Sequence, residues 1–199
     1  MLLTDKYKEL RKTLKKVLDR DRYVHTVGVA YTAAALAMRY GEDLERAYLA
    51  GLLHDCAKCL PKEDRLPLCK AWKIPVKEIE KKNTTLLHAK MGAYLAKNKY
   101  GVKDQEILSA IACHTVGKPD MTLLEKIIFT ADYIELNRDQ AKDLPIIRKT
   151  AFENLDLAVY LMTKGTLDYL NTSSDKEIDT DALEVFAFYK QKVEEQGLI

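Results

Sequence analysis

Leu49-Ala50-Gly51-Leu52-Leu53-His54-Asp55-Cys56-Ala57-Lys58 decides how this chain reads. An unbroken apolar run ends on an imidazole and a carboxylate. Helical spacing aligns His54 with Ala47, Ala50 and Gly51. Pro61 stands just beyond, so residues 43–58 are predicted as one helix. Asp55 follows a buried stripe, and an isolated buried carboxylate costs several kcal/mol. It therefore needs histidines or a cation beside it.

Working outward, helical periodicity recurs on both sides. Residues 4–19 form a basic amphipathic segment, and 21–40 a helix ending before Gly41. A Pro-broken stretch covers 62–83, where Pro67 and Pro75 should limit helix length. Residues 87–100 are helical up to Gly101, and 103–115 follow. Thr122-x-x-Glu125 is a capping box opening a helix through about Asn137. Pro145 suits the first turn of a long helix running to about Leu170. Asp139–Asp143 and Asn171–Lys176 are short loops, and a last helix covers about 180–195. No stretch alternates with period 2 for long enough to be a strand. The expectation is an all-α bundle, one domain over 1–199, with its functional core at about 20–140 and C-terminal helices at about 145–195.

Composition agrees. Of 199 residues, 47 % are apolar and 31 % charged, which suits a globular protein. Eight glycines and five prolines leave few tight turns, against sandwiches and barrels. A net charge of +2 is too small to argue for a nucleic-acid partner. No apolar run reaches the 18 or so residues that span a bilayer; the best, Val27–Met38, is broken by Gly28 and Thr32. The start lacks the apolar segment of a signal peptide. Cys56, Cys59, Cys69 and Cys113 do not resemble a secreted disulfide framework. The expected location is the cytoplasm, with no membrane partner.

All four histidines, His25, His54, His88 and His114, fall in predicted helices or at their ends, each on an apolar face. Asp132 shares a face with Leu124 and Ile128. Neutral imidazoles do little to balance two buried carboxylates, whereas a metal cation does. Gly28, Gly51 and Gly92 each lie one turn from a histidine, on its face. A glycine inside a helix costs about 1 kcal/mol relative to alanine, so each makes room either for close helix packing or for a metal centre.

His25, then His54-Asp55, then Asp132 resembles the H…HD…D pattern of HD-domain metal-dependent phosphohydrolases. With His88 and His114 between, it resembles the dinuclear version. The strings Val-His-Thr-Val-Gly-Val-Ala, Leu-Leu-His-Asp-Cys-Ala-Lys, Leu-Leu-His-Ala-Lys-Met-Gly-Ala, Ala-Cys-His-Thr-Val-Gly and Ala-Asp-Tyr-Ile-Glu-Leu-Asn-Arg are similar to the YqeK-type symmetrical bis(5'-nucleosyl)-tetraphosphatases. The resemblance covers roughly 20 to 140. It implies a helical HD fold, one or two ions (iron, or manganese, cobalt or another divalent transition metal), and a homodimer. It also implies a nucleotide substrate, diadenosine tetraphosphate, cleaved into two ADP by a metal-bound hydroxide. His25, His54, Asp55 and Asp132 match the metal ligands. His88 and His114 match positions that bind a second ion or the phosphates. Lys58, Arg22 and Arg138 match substrate contacts, and Asp55, Lys58, His88 and His114 are the expected catalytic residues. Two ions about 3.5–4 Å apart would bind substrate oxygens and activate water. Asp55, with two carboxylate oxygens, is the natural bridge between them.

Other signals count for less. Cys56-x-x-Cys59 has no second pair to complete a zinc site. The basic first helix, diluted by Asp5, Glu9 and Asp19, reads as a solvated face. There is no P-loop and no GxGxxG. Trp72 and the tyrosines suit core packing or base stacking. The competing readings are another HD phosphohydrolase, acting on nucleotides or deoxynucleotides, and a non-catalytic metal-binding helical module.

Overall fold

The computed structural model describes residues 3–139, 143–171 and 179–199. Among these residues twelve α-helices and one 3₁₀ turn follow in order: α1 (Leu3–Lys6), α2 (Lys8–Val17), α3 (Arg20–Tyr40), α4 (Leu44–Leu53), α5 (Lys62–Ala71), α6 (Glu78–Lys82), the 3₁₀ turn Thr84–Leu87, α7 (His88–Asn98), α8 (Gln105–Cys113), α9 (Leu123–Ile134), α10 (Leu144–Glu153), α11 (Leu155–Asn171) and α12 (Thr180–Glu195). No strand occurs among the described residues. The all-α expectation holds. The predicted loops at Asp139–Asp143 and Asn171–Lys176 lie largely outside the described residues.

Short polar side chains start the helices. Asp19, Asp43, Asp104 and Asp179 accept hydrogen bonds from the first free amides of α3, α4, α8 and α12, a contribution of about 1 kcal/mol each. Thr122 and Glu125 form the anticipated capping box at α9. Gly41, in the left-handed region at φ 75°, ends α3.

Helix α3 is the hub. It packs against α4 and α9, and α8 closes on α4, α7 and α9. Its inner face, Val29, Ala30, Ala33, Leu36 and Ala37, is buried, and small side chains there let α4 approach closely. The approach is tightest at Gly51, where an added Cβ would lie 2.7 Å from the Ala30 Cα. Outside this layer α11 packs on α9, α10 and α12. A smaller core gathers Ala57, Cys69, Leu87 and Met91. At its edge Trp72 stacks on Tyr94, ring centroids 4.4 Å apart, so the lone tryptophan is a packing residue.

Four boundaries differ from expectation. Helix α4 stops at Leu53, five residues early: Cys56, Lys58 and Leu60 each donate to the carbonyl three residues back, tightening the chain before Pro61. Asp55 and Lys58 thereby come to one side of a tight turn. The segment 4–19 breaks at Tyr7, whose hydroxyl donates to Glu45 Oε1 at 2.7 Å. Pro67 sits inside α5; it and Glu63, whose carbonyl loses its donor, are both exposed, so the freed carbonyl lies on the solvent side of the helix, where the loss is cheapest. The long helix expected after Pro145 is two, because Asn154 donates to Thr150 O and its side chain then accepts from Leu157 N at 3.0 Å. It ends α10 and caps α11.

Gly51→Ala should destabilise the protein by about 1–3 kcal/mol, an overpacking cost, because the contact is backbone and has no flexible end to move. Urea denaturation checks this, and an unchanged midpoint would contradict it.

Candidate metal centre

The ends of three helices converge on the middles of two others. His25 comes from the interior of α3 and Asp132 from that of α9. His54 and His114 are the first residues past α4 and α8, and His88 is the first of α7. The last carbonyls of a helix lack intrahelical donors, and here the histidines supply them. His54 Nδ1 donates to Gly51 O and His114 Nδ1 to Ile111 O, both at 2.7 Å. His88 Nδ1 donates to Thr85 O at 2.5 Å. His25 Nδ1 donates instead to Glu135 Oε1 at 3.1 Å. With every Nδ1 proton spent, each Nε2 is left as a lone pair facing inward.

These nitrogens crowd together. His25 and His54 Nε2 are 3.3 Å apart, and His88 and His114 Nε2 3.2 Å. Asp55 stands between the pairs and is 2 % exposed. Its Oδ2 lies 3.5 Å from His54 Nε2 and 3.8 Å from His25 Nε2. Its Oδ1 lies 3.2 Å from His88 Nε2 and 3.6 Å from His114 Nε2. Asp132 Oδ1 completes the first group, 3.0 Å from His25 Nε2 and 3.8 Å from His54 Nε2.

Burial raises the Asp55 carboxyl, but His54, His114 and His88 hold it well below the usual carboxylate range. The Asp132 carboxyl, raised by enclosure, is likewise held low by the neighbouring His25 and His54. Burial pushes His88 down to about 4, against the pull of Asp55. The donor set therefore contains two carboxylates and, at His88, a neutral imidazole. Asp55 Oδ1 is buried and accepts no hydrogen bond among the described residues. Lone pairs facing lone pairs around an unsatisfied carboxylate oxygen fit a divalent transition metal. His25, His54 and Asp55 could hold one ion, and Asp55, His88 and His114 another.

All nine residues singled out in the sequence meet here. Lys58 Nζ, its pKa lowered by burial, donates to His88 Nε2 at 3.1 Å. Arg22 Nη1 donates to Asp55 Oδ2 at 2.6 Å and Arg138 Nη2 to Asp132 Oδ1 at 2.8 Å. Both arginines reach the rim already paired with a carboxylate.

Sequence reasoning missed three residues. Thr115 Oγ1 lies 3.1 Å from His88 Nε2 and 3.2 Å from His114 Nε2. Glu135, buried, orients His25 and accepts from Asn137 N at 2.8 Å. Arg148 clamps the end of α9 through Ile134 O, Glu135 O and Arg138 O. The signal for Glu135 was Gly28, where an added Cβ would stand 2.3 Å from Glu135 Oε2. Of the three glycines, Gly51 serves close helix packing, Gly28 makes room for this carboxylate, and Gly92 makes room for the His54 carbonyl, 3.1 Å from its would-be Cβ.

An all-helical bundle whose helix ends focus four imidazoles and two carboxylates on one buried point defines a class. The model of the HD domain family matches residues 22–137, and the chain belongs to that family. It is 43 % identical over 157 residues to the symmetrical bis(5'-nucleosyl)-tetraphosphatase of Bacillus subtilis (strain 168), covering 79 % of this chain and 83 % of the relative. It is 39 % identical over 183 residues to the protein of the same name from Halalkalibacterium halodurans, covering 92 % and 95 %. Among solved structures it resembles a predicted HD superfamily hydrolase involved in NAD metabolism from Clostridium acetobutylicum: TM-score 0.89, 36 % identity, 94 % of this chain and 97 % of that one.

Gly28→Ala and Glu135→Ala should both free His25 from its tether. Loss of such an outer partner typically costs about 10–100-fold in metal affinity. Chelator competition with manganese measures it; wild-type affinity in both variants would remove Glu135 from the centre.

Proposed function

We propose that the chain is a metal-dependent hydrolase that cleaves diadenosine tetraphosphate symmetrically into two ADP. The observation that carries the metal-dependent part is the Asp55 carboxylate, whose two oxygens face two different histidine pairs. The substrate rests on the similarity to relatives bearing the name symmetrical bis(5'-nucleosyl)-tetraphosphatase over most of their length.

In this reading His25, His54, Asp55 and Asp132 would hold one ion, and Asp55, His88 and His114 a second. When bound, such ions polarise phosphoryl oxygens and lower the pKa of water toward neutrality. Iron is the metal we favour, since a set of imidazole and carboxylate donors suits it. The protein's own part is positioning and charge. Lys58 places an ammonium beside the second histidine pair, where it neutralises a phosphate oxygen as charge moves to the leaving diphosphate. Arg22 and Arg138 already sit on the ligand carboxylates, so an arriving phosphate chain exchanges one anionic partner for another. Water attacks one central phosphorus, the bond from it to the middle bridging oxygen breaks, and each half leaves as ADP. A nucleotide substrate and four free thiols support a cytoplasmic location. No helix among the described residues is long and apolar enough to cross a membrane.

Product analysis after loading with iron, manganese or cobalt should show ADP alone. AMP plus ATP would rule out symmetrical cleavage. Asp55→Ala should lose both bound metal and turnover while its circular dichroism stays helical; full activity would remove the assignment.

His88→Gln and His114→Gln separate chemistry from packing. Glutamine keeps a hydrogen bond, so stability should change by about 1 kcal/mol, yet turnover should fall roughly 100-fold or more. A variant that keeps its rate and loses its melting temperature marks a packing histidine.

A further inference from the structure

Thr115 has two sets of neighbours. Its hydroxyl touches the His88 and His114 nitrogens, and it also lines a cavity of about 570 Å³. That volume lies within the roughly 300–1,000 Å³ of small-molecule pockets. Leu86 and Val116, each next to a segment bearing one of those histidines, form the near wall; Phe129 of α9 and Leu167 of α11 stand beyond. Lys82, Asn83 and Asp179 are polar members of the same lining. Arg22 and Arg138 bind at the other end of the centre, through Asp55 Oδ2 and Asp132, while Lys58 stands beside His88 on the cavity's end.

Thr163 and Thr166 add polarity from α11. Thr163 Oγ1 donates to Val159 O at 2.9 Å, and Thr166 Oγ1 to Met162 O at 2.9 Å. Their protons are spent on the helix, so neither hydroxyl has one to donate to a ligand. A flat, largely apolar group with polar atoms at its edge answers that mixture.

We propose that this cavity takes one nucleoside of the substrate, its base against Phe129 and Leu167, with the phosphate chain passing Thr115 to reach the histidine–aspartate cluster. The inference rests on the hydrolase reading above and adds the residues that read the nucleoside. Thr166 is exposed on α11, so Thr166→Trp fills the cavity from its surface side with little risk to folding. Phe129→Leu is the milder second variant.

Both should raise the KM for diadenosine tetraphosphate and the Kd for ADP, Thr166→Trp by at least tenfold. Affinity for inorganic diphosphate, metal content and melting temperature should stay at wild-type values. Unchanged KM and ADP affinity in both variants would overturn the cavity assignment and leave the hydrolase reading intact. Equal losses for ADP and diphosphate would also overturn it, by placing the effect on the phosphates. A wild-type protein that binds ADP through these residues yet turns over no dinucleotide would keep the cavity as a nucleotide site and overturn the hydrolase reading. Should Thr166→Trp fail to fold, Phe129→Leu decides by the same comparison of ADP with diphosphate.

Discussion

The buried carboxylate of Asp55 is the constraint to which the rest of the molecule answers. A carboxylate 2 % exposed is tolerable only when its charge is balanced and its oxygens are engaged. Here Oδ2 has Arg22, while Oδ1 faces two imidazole nitrogens that have no proton to give. Four helices and a 3₁₀ turn bring their ends or middles to this atom pair. The close α3–α4 approach at Gly51, the stop of α4 at Leu53 and the tight turns that follow are what place it there.

The device that aims the imidazoles is the helix end itself. The backbone leaves carbonyls without donors wherever a helix stops, and His54, His114 and His88 each satisfy one through Nδ1. One hydrogen bond thus completes the helix, selects the tautomer and turns Nε2 inward. His25, inside a helix where every carbonyl is already engaged, cannot use this device. Glu135 takes the role instead, and Gly28 clears the space for it.

Much of this was legible in the sequence, for identifiable reasons. Periodicity, the Thr122–Glu125 capping box, Gly41 and Pro61 place helices because they act through near neighbours. The six histidine and aspartate positions stood out because titratable groups on apolar faces have few innocent explanations, and Lys58, Arg22 and Arg138 followed from the motif strings. Legibility failed where a distant contact overrides a local rule. The break at Tyr7 answers to Glu45, and the separation of α10 from α11 depends on Asn154, which carries no Gly or Pro warning. Pro67 was read as a limit, yet solvent at Glu63 lets the helix continue. Glu135 and Thr115 stand within the motif strings, yet nothing in local spacing distinguishes a tether from a surface residue. Their roles exist only once α3 and α9, or α7 and α8, are packed.

The glycines show how such tertiary demands leave a trace in one dimension. Each of Gly28, Gly51 and Gly92 carries a propensity cost of about 1 kcal/mol, and each sits where a methyl group would strike something specific. The obstacles differ in kind. At Gly51 it is the backbone of a neighbouring helix, so the glycine belongs to the fold. At Gly92 it is the carbonyl of His54, and the glycine lets α7 approach the turn that bears the site. At Gly28 it is the carboxylate that orients His25, so the glycine belongs to the chemistry. A glycine one turn from a titratable residue therefore marks proximity without saying what fills the gap. Only the identity of the obstructing atom, backbone or functional side chain, separates a packing role from a positioning one.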